Sequence, residues 1–301
     1  MGNMPCGEVL PVRSALLGDM SQHIAPPEAA PSRGPGPGSS RRRILFGAIA
    51  GVAVMIALAL GFTFLDGGGP GTEPSSVTEG DAPPGELPVS STYTTVEGAP
   101  SDPDPLGRND GLVVHPIRET PVHDAPDGRA IARMETTQFG DTWLPVLAEQ
   151  PGWVQVLLPS KPASSTGWIR ADDVERARTP YVVEVHLGSK TLELVRDGDV
   201  VGQWSVGIGT EETPTPTGRT FLLGAFADQN QNFSPVILPL GTHSPTLDTF
   251  GGGPGTVAIH AWPEASSFGQ AVSNGCLRIS QEALEQLTEV PLGTLVIIDQ
   301  E

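Results

Sequence analysis

The stretch Ser273-Asn274-Gly275-Cys276-Leu277-Arg278-Ile279 places a cysteine directly after a glycine and before a short apolar run. Sixteen residues upstream, His260 follows the apolar run Thr256-Val257-Ala258-Ile259. A thiol becomes a useful nucleophile when a neighbouring base takes its proton or stabilises the thiolate. Cys276 and His260 are therefore a candidate nucleophilic pair, provided that the fold brings them together. A buried, inert cysteine and a surface histidine are the alternative.

A second stretch, Thr215-Pro216-Thr217-Gly218, extends the pattern. Together with Ile259-His260 and the core of residues 273–278, it resembles the L,D-transpeptidase (YkuD-like) family over about residues 180–299. Asn274 stands where many members of that family have His, and Ala261 stands where many have Gly. The resemblance implies a mainly β catalytic domain, a β-sandwich or barrel with one short helix.

The glycine turn offers groups that would stabilise a reaction intermediate. Attack of a thiol on an amide produces a tetrahedral oxyanion, and backbone N–H groups in a tight turn are natural donors to it. Asn274, Gly275 and Cys276 carry those N–H groups, and Gly275 permits backbone angles that a Cβ atom would oppose. We expect the Asn274 side chain to brace the turn. Ser273 either hydrogen-bonds within the turn or faces solvent.

Three neighbours of the pair receive roles mainly from the resemblance. It implies that the backbone carbonyl of Ala261 accepts a hydrogen bond from the His260 ring and so fixes its tautomer. The residue Arg278 is either a surface charge or part of a structural ion pair, or it binds a substrate carboxylate, and the resemblance supports the last of these roles. Trp262 is predicted to line the substrate pocket.

The resemblance also implies the reaction. A peptidoglycan L,D-transpeptidase acts on stem peptides: Cys276 would attack the carbonyl of the third residue of a tetrapeptide donor and release D-alanine. The acyl group would then pass to the side-chain amine of a second stem, which crosslinks two third-position residues. A carbapenem adduct on Cys276 is a further implication. An L,D-carboxypeptidase with the same acyl-enzyme and a non-catalytic cell-wall-binding protein remain alternatives.

Composition excludes other classes of protein. The formal net charge is −18, which argues against nucleic acid as a partner. One cysteine and one well-placed histidine are too few for a structural zinc site, so we predict neither a metal nor a cofactor. The only other cysteine, Cys6, has no companion base or metal ligand. The 37 glycines and 31 prolines predict long unstructured stretches.

An uncharged segment predicts an N-terminal membrane anchor. Residues 44–65 carry no charge, and as a helix they would span about 33 Å, enough to cross a hydrocarbon core of about 30 Å. A leader of 43 residues is long for a signal peptide, so we expect an uncleaved single-pass helix. The preceding Arg41-Arg42-Arg43 predicts a cytoplasmic N-terminus, with the later domains on the cell-wall side of the membrane.

Shifts in composition divide the rest of the chain. Short apolar runs separated by Pro, Gly, Asp and Asn predict a small β-barrel, in which Gly152-Trp153 and Gly167-Trp168 resemble paired positions of bacterial SH3-like domains. The predicted segments are a disordered cytoplasmic tail (1–43), a transmembrane helix (44–65), a flexible extracellular linker (66–110), an SH3-like domain (111–178) and the catalytic domain (179–301).

Within the last segment, strand patterns dominate. The only helix is predicted from about Gln281 to Glu289, with Ser280 as its N-cap. A Gly- and Pro-rich segment around residues 230–255 is predicted to be a long loop that folds over the site. His243 lies in this loop and is the reserve candidate for the base.

Overall fold

The computed structural model describes residues 7–8, 11–12, 87–229, 231–250 and 253–301. Strands dominate these residues, and the α-helix among them, α1, runs from Gln281 to Leu287. The prediction of a mainly β fold with one short helix is confirmed. The N-cap is also as predicted, because Ser280 Oγ accepts a hydrogen bond from the amide of Ala283 at 3.1 Å. The helix ends two residues earlier than predicted.

The first module consists of residues 112–178 and is built from seven short strands. They are β2 (Leu112–Pro116), β3 (Thr120–His123), β4 (Ala130–Met134), β5 (Leu144–Gln150), β6 (Trp153–Leu157), β7 (Thr166–Arg170) and β8 (Val174–Arg178). Their order in the sheet is β8-β2-β5-β6-β7-β3-β4, and every neighbouring pair is antiparallel. Trp153 and Trp168 are both buried, in line with core packing. The SH3-like assignment of this module stays a prediction.

The second module follows from residue 181 and carries the remaining strands. They are β9 (Tyr181–His186), β10 (Thr191–Arg196), β11 (Asp199–Ser205), β12 (Ile208–Gly209), β13 (Gly218–Phe221), β14 (Ile237–His243), β15 (Thr249–Phe250), β16 (Gly253–Pro254), β17 (Thr256–Ala261), β18 (Ala271–Ser273), β19 (Leu277–Ile279) and β20 (Leu295–Asp299). A five-stranded sheet has the order β11-β10-β9-β20-β13, and a three-stranded sheet has the order β14-β17-β19.

Strand β20 of the five-stranded sheet is buried on both faces, and its successive side chains point to opposite faces of the sheet. Along β20, Val296 and Ile298 pack into one core with the three-stranded sheet. Leu295 and Ile297 pack instead into a second core that is shared with the first module. The two modules therefore pack against each other through a shared hydrophobic core.

The structure corrects the predicted loop at residues 230–255. Residues 237–243 form β14, which pairs antiparallel with β17 in a register that shifts between Pro239 and His243. Pro239 lacks an N–H donor and Gly241 weakens strand propensity, so the sequence pattern conceals this strand. The following segment folds back as the small pair β15–β16.

The structure also corrects the C-terminal end of the predicted linker at 66–110. Residues 87–110 are packed against both modules, and Ser90, Ser91 and Thr92 are buried. Asp102 forms a bidentate pair with Arg219, with Nε–Oδ2 and Nη2–Oδ1 distances of 2.6 Å, and their side chains are 1% and 6% exposed. Residues 66–86 lie outside the described residues.

The N-terminal residues that the structure describes differ from the predicted tail of residues 1–43. Gly7–Glu8 forms β1, which pairs in parallel with β8, and Val12 is fully buried with its amide 3.2 Å from the carbonyl oxygen of Val290. The predicted transmembrane helix at 44–65 lies outside the described residues. Among the residues that are described, no helix has the length and apolar character needed to cross a membrane.

We expect Asp102→Ala to lower the free energy of unfolding by about 3–5 kcal/mol, because it leaves the Arg219 guanidinium buried without its partner. Glu149→Ala is the matched control, since it removes an exposed partner of Arg176 and should cost about 1 kcal/mol or less. Urea unfolding of the two variants measures both values. Equal effects would mean that residues 87–110 do not form part of the folded unit.

Candidate active site

Cys276 and His260 are brought together by two neighbouring parallel strands. In the pairing of β17 with β19, Ile259 lies opposite Leu277 and His260 lies opposite Arg278. Cys276 immediately precedes β19, and its sulfur lies close to the backbone of Ala258. Extending this register by one residue sets Cys276 opposite Ala258, so the cysteine and the histidine lie two residue positions apart along adjacent strands, on the same side of the sheet.

The alternation of side chains along β17 decides what faces the site. Thr256, Ala258 and His260 line a cavity of about 340 Å³, and Cys276 lies on its wall. The intervening Val257, Ile259 and Ala261 belong to the hydrophobic core. Burial of these three side chains thus fixes the face of the sheet to which His260 points, since a shift of the strand by one residue would turn every side chain to the other face.

The His260 ring is held in one orientation. Its Nδ1 lies 2.9 Å from the carbonyl oxygen of Ala261. A carbonyl only accepts, so Nδ1 carries the proton and Nε2 presents its lone pair. Burial lowers the pKa of His260, the bond to the Ala261 carbonyl raises it, and the nearby Arg278 charge lowers it, with a net lowering. The ring is therefore neutral at neutral pH and able to accept a proton.

The Cys276 thiol is also neutral in the resting protein. Burial raises its pKa above the ordinary value, although the backbone bond with Ala258 and the Arg278 charge act in the opposite direction. Among the hydrogen bonds of the described residues, none joins Sγ to the His260 ring. The resting pair is thus a neutral thiol and a neutral imidazole that line one cavity.

The turn before Cys276 is fixed by Ser273, which is buried. Ser273 Oγ accepts a hydrogen bond from the Gly275 amide at 3.1 Å and donates one to the Cys276 carbonyl at 2.6 Å. Gly275 has φ +107°, which side chains oppose. One of the three amides proposed as oxyanion donors is therefore occupied, and those of Asn274 and Cys276 remain candidates. The Asn274 side chain is exposed.

Two threonines hold this turn from the other side. Thr215 Oγ1 donates to the carbonyl of Gly275 at 2.9 Å and accepts from the amide of Gly209 at 2.9 Å. Thr213 Oγ1 donates to the carbonyl of Ser273 at 3.1 Å. The Thr215-Pro216-Thr217-Gly218 stretch is thus connected to the cysteine turn through hydrogen bonds, a link that its place in the sequence does not show.

Arg278 and Trp262 form a layer beside His260. The Arg278 guanidinium lies 3.7 Å from the centroid of the Trp262 ring, which is a cation–π contact. Trp262 is 5.9 Å from His260 and 5.2 Å from Phe233 between ring centroids. Of these, Phe233 and His260 line the cavity, whereas Trp262 lies behind them. The buried Nε of Arg278 has no hydrogen-bond partner among the described residues.

His243 does not line the cavity with Cys276. It is buried, its Nε2 lies 3.8 Å from Asp248 Oδ1, and burial together with the Lys161 charge lowers its pKa. Clusters with metal-ligand geometry in the described residues involve His186 with nearby carboxylates, and neither Cys276 nor His260 belongs to them. Because His243 does not line the cavity, His260 remains the candidate for the base.

Sequence reasoning missed the aromatic walls of the cavity. Phe226, Phe233 and Phe250 line it from the second module, and Phe139 lines it from the first module. A Phe in a polar loop carries no local signal of such a role, because it depends on contacts between residues that are far apart in sequence.

Comparisons with known proteins identify the family of the second module and several relatives of the chain. Residues 180–298 match the family described as the L,D-transpeptidase catalytic domain. The putative L,D-transpeptidase YkuD of Bacillus subtilis is 26% identical over 168 residues, which cover 54% of this chain and 95% of that protein. The putative L,D-transpeptidase YqjB of Bacillus subtilis is 30% identical over 126 residues, which cover 40% of this chain and 70% of that protein.

A solved structure of an L,D-transpeptidase from Mycobacterium tuberculosis is also similar. It shares 14% sequence identity at a TM-score of 0.37, over 71% of this chain and 94% of that chain.

The pKa of Cys276 gives a direct test of the neutral resting pair. Iodoacetamide alkylates only the thiolate, so the alkylation rate should rise with pH and reach its midpoint above the ordinary thiol value of 9.0. Intact-protein mass spectrometry on a Cys6→Ala background follows Cys276 alone. A midpoint well below 9.0 would indicate a thiolate–imidazolium pair instead.

Proposed function

Since the chain belongs to the L,D-transpeptidase (YkuD) catalytic-domain family, we propose that it crosslinks peptidoglycan stem peptides through an acyl-enzyme on Cys276. The observation that carries the proposal is the placement of Cys276 and His260 on one cavity by the pairing of β17 with β19. The bond from Nδ1 to the Ala261 carbonyl supports it further, because it leaves Nε2 free to act as the base.

In the first half-reaction, Nε2 of His260 takes the proton of the Cys276 thiol as sulfur attacks the carbonyl carbon of the donor's third residue. The amides of Asn274 and Cys276 then donate to the oxyanion, and each such donor is worth about 2.7–4 kcal/mol. The C–N bond to the terminal D-alanine then breaks, and His260 returns the proton to the departing amine. A thioester on Cys276 and free D-alanine result.

In the second half-reaction, the side-chain amine of another stem peptide attacks the thioester carbonyl and gives a proton to His260. The C–S bond breaks, the departing thiolate of Cys276 takes that proton from His260, and a crosslink between two third-position residues forms. Because the thioester conserves the energy of the cleaved amide, no nucleotide and no cofactor are needed. Water in place of the amine would make the same enzyme an L,D-carboxypeptidase.

We further propose that residues 44–65 anchor the chain and that the catalytic domain lies on the cell-wall side of the membrane. Arg41-Arg42-Arg43 predicts a cytoplasmic N-terminus. The contact of Val12 with Val290, in contrast, requires the N-terminus and the catalytic domain to lie on the same side of the membrane. The N-terminal contacts are few, namely the two-residue β1–β8 pair and Val12, whereas three consecutive arginines beside an apolar segment strongly favour the cytoplasmic side. We therefore expect the N-terminal contact to be absent in the anchored protein.

Full-length protein incubated with a disaccharide tetrapeptide should release D-alanine and form crosslinked dimers, which mass analysis detects. Cys276→Ser and His260→Gln should each lower the rate by at least about 10³-fold, because each removes one member of the reacting pair. Meropenem, a carbapenem, should add its mass to Cys276 in the wild type alone. D-alanine release without dimers, even with excess acceptor stem, would identify a carboxypeptidase, and no product at all would refute catalysis.

Cys6 reports the side of the membrane on which the N-terminus lies. In intact cells expressing a Cys276→Ala variant, an impermeant maleimide should leave Cys6 unlabelled until the cells are lysed. Ile117→Cys in the Cys6→Ala, Cys276→Ala background is the control, since Ile117 is exposed on the first module and should be labelled from outside. Labelling of Cys6 in intact cells would place both termini together and contradict the proposed topology.

A further inference from the structure

Phe139 belongs to the first module and yet lines the cavity of Cys276. It lies in the loop between β4 and β5, outside the residues that match the family. The residue is 39% exposed, although Phe is normally buried. Packing of the ring into the core therefore does not explain why a Phe stands at this position. Exposed apolar rings that line one cavity together are characteristic of a ligand-binding site, and Phe250 of the same cavity is 52% exposed.

The backbone at Phe139 is held in an unfavourable conformation. Its φ is +55°, a region that residues with a Cβ atom rarely occupy. The Phe139 carbonyl accepts a hydrogen bond from the amide of Ala225 at 3.1 Å, and the Gln138 amide donates to Gly140 at 2.8 Å. A Cβ atom on Gly224 would lie only 2.5 Å from Phe139, so the second module has made room for it. Strain of this kind persists where the surroundings fix it and it is often associated with function.

The ring of Phe139 continues a wall built by the second module. It stacks on Phe226 with ring centroids 5.5 Å apart and an angle of 23° between the planes. Phe233, farther along the wall, packs on His260 with centroids 4.9 Å apart. The rings of Phe139, Phe226 and Phe233 thus line the cavity that leads to His260.

The first module and the segment before it also contact the part of the cavity that is formed by β15 and β17. Lys161 Nζ lies 2.7 Å from Asp248 Oδ1, just before the β15 strand that carries Phe250. Thr92 Oγ1 lies 2.5 Å from Thr256 Oγ1, at the start of the strand that carries His260. Contacts from outside the family domain therefore fix both sides of the cavity.

We propose that Phe139 is a substrate-positioning residue, and that the first module completes the binding site for the donor stem peptide. This inference rests on the proposed function, because it takes the donor of that reaction as the occupant. The apolar rings suit the methyl and methylene groups of the stem side chains, while Asp228 and Gln231 bring polar atoms to the same cavity. The module is then part of the enzyme's specificity and is not only a spacer.

Phe139→Ala should raise KM for the tetrapeptide about tenfold and change kcat less than about threefold, because it removes a contact made equally in the ground state and the transition state. Phe139→Leu should recover part of the loss. Ile117→Ala is the matched control, since Ile117 is an exposed apolar side chain of the same module that does not line the cavity, and its KM should not change.

Two further measurements separate positioning from a structural effect and from failure of the proposed function. Alkylation of Cys276 by iodoacetamide and the urea midpoint should be the same in Phe139→Ala as in the wild type, and a large change in either would overturn the positioning role. Calorimetry with the tetrapeptide should show weaker binding to Cys276→Ala, Phe139→Ala than to Cys276→Ala. If the wild type releases no D-alanine but this difference persists, the proposed reaction fails and the positioning role stands. Equal affinities, or no binding to either protein, would overturn the inference.

Discussion

The parallel pairing of β17 with β19 is the constraint on which the site depends. It sets His260 opposite Arg278 and leaves the residue before β19, Cys276, on the same face. Because side chains alternate along β17, the register that turns His260 into the cavity also buries Ile259 and Ala261 in the core. Packing of Ile259 and Ala261 in the core therefore also fixes the position of His260 in the cavity.

Burial sets the protonation states within this geometry. It lowers the pKa of His260 and raises the pKa of Cys276, so the pair rests as neutral imidazole and thiol. A neutral thiol is protected from adventitious electrophiles, and the imidazole is ready to accept its proton once substrate aligns the two. The turn held by Ser273 and Thr215 contributes rigidity, since its hydrogen bonds fix the backbone amides that would meet the oxyanion.

Much of this could be predicted from local sequence. Alternating apolar residues marked the main strands, Ser280 marked the start of α1, and the residues around Cys276 marked the family. The rest depends on contacts between distant residues. Strand β14 is concealed by Pro239 and Gly241, and residues 87–110 have the composition of a linker although their side chains pair with groups such as Arg219. No local pattern could place Phe139 at the cavity, because that position arises only when the two modules share a core.

The shared core means that the cavity lined by Cys276 and His260 depends on both modules, while the proposed bond-making step depends on one pair of strands. The most direct measurement of that step is rapid-quench intact-protein mass spectrometry of the full-length chain with tetrapeptide donor and no acceptor. The account predicts an adduct equal to the donor minus D-alanine, mapped to the peptide that contains Cys276 and absent from Cys276→Ala. Crosslinked product formed without any adduct on that peptide would contradict it.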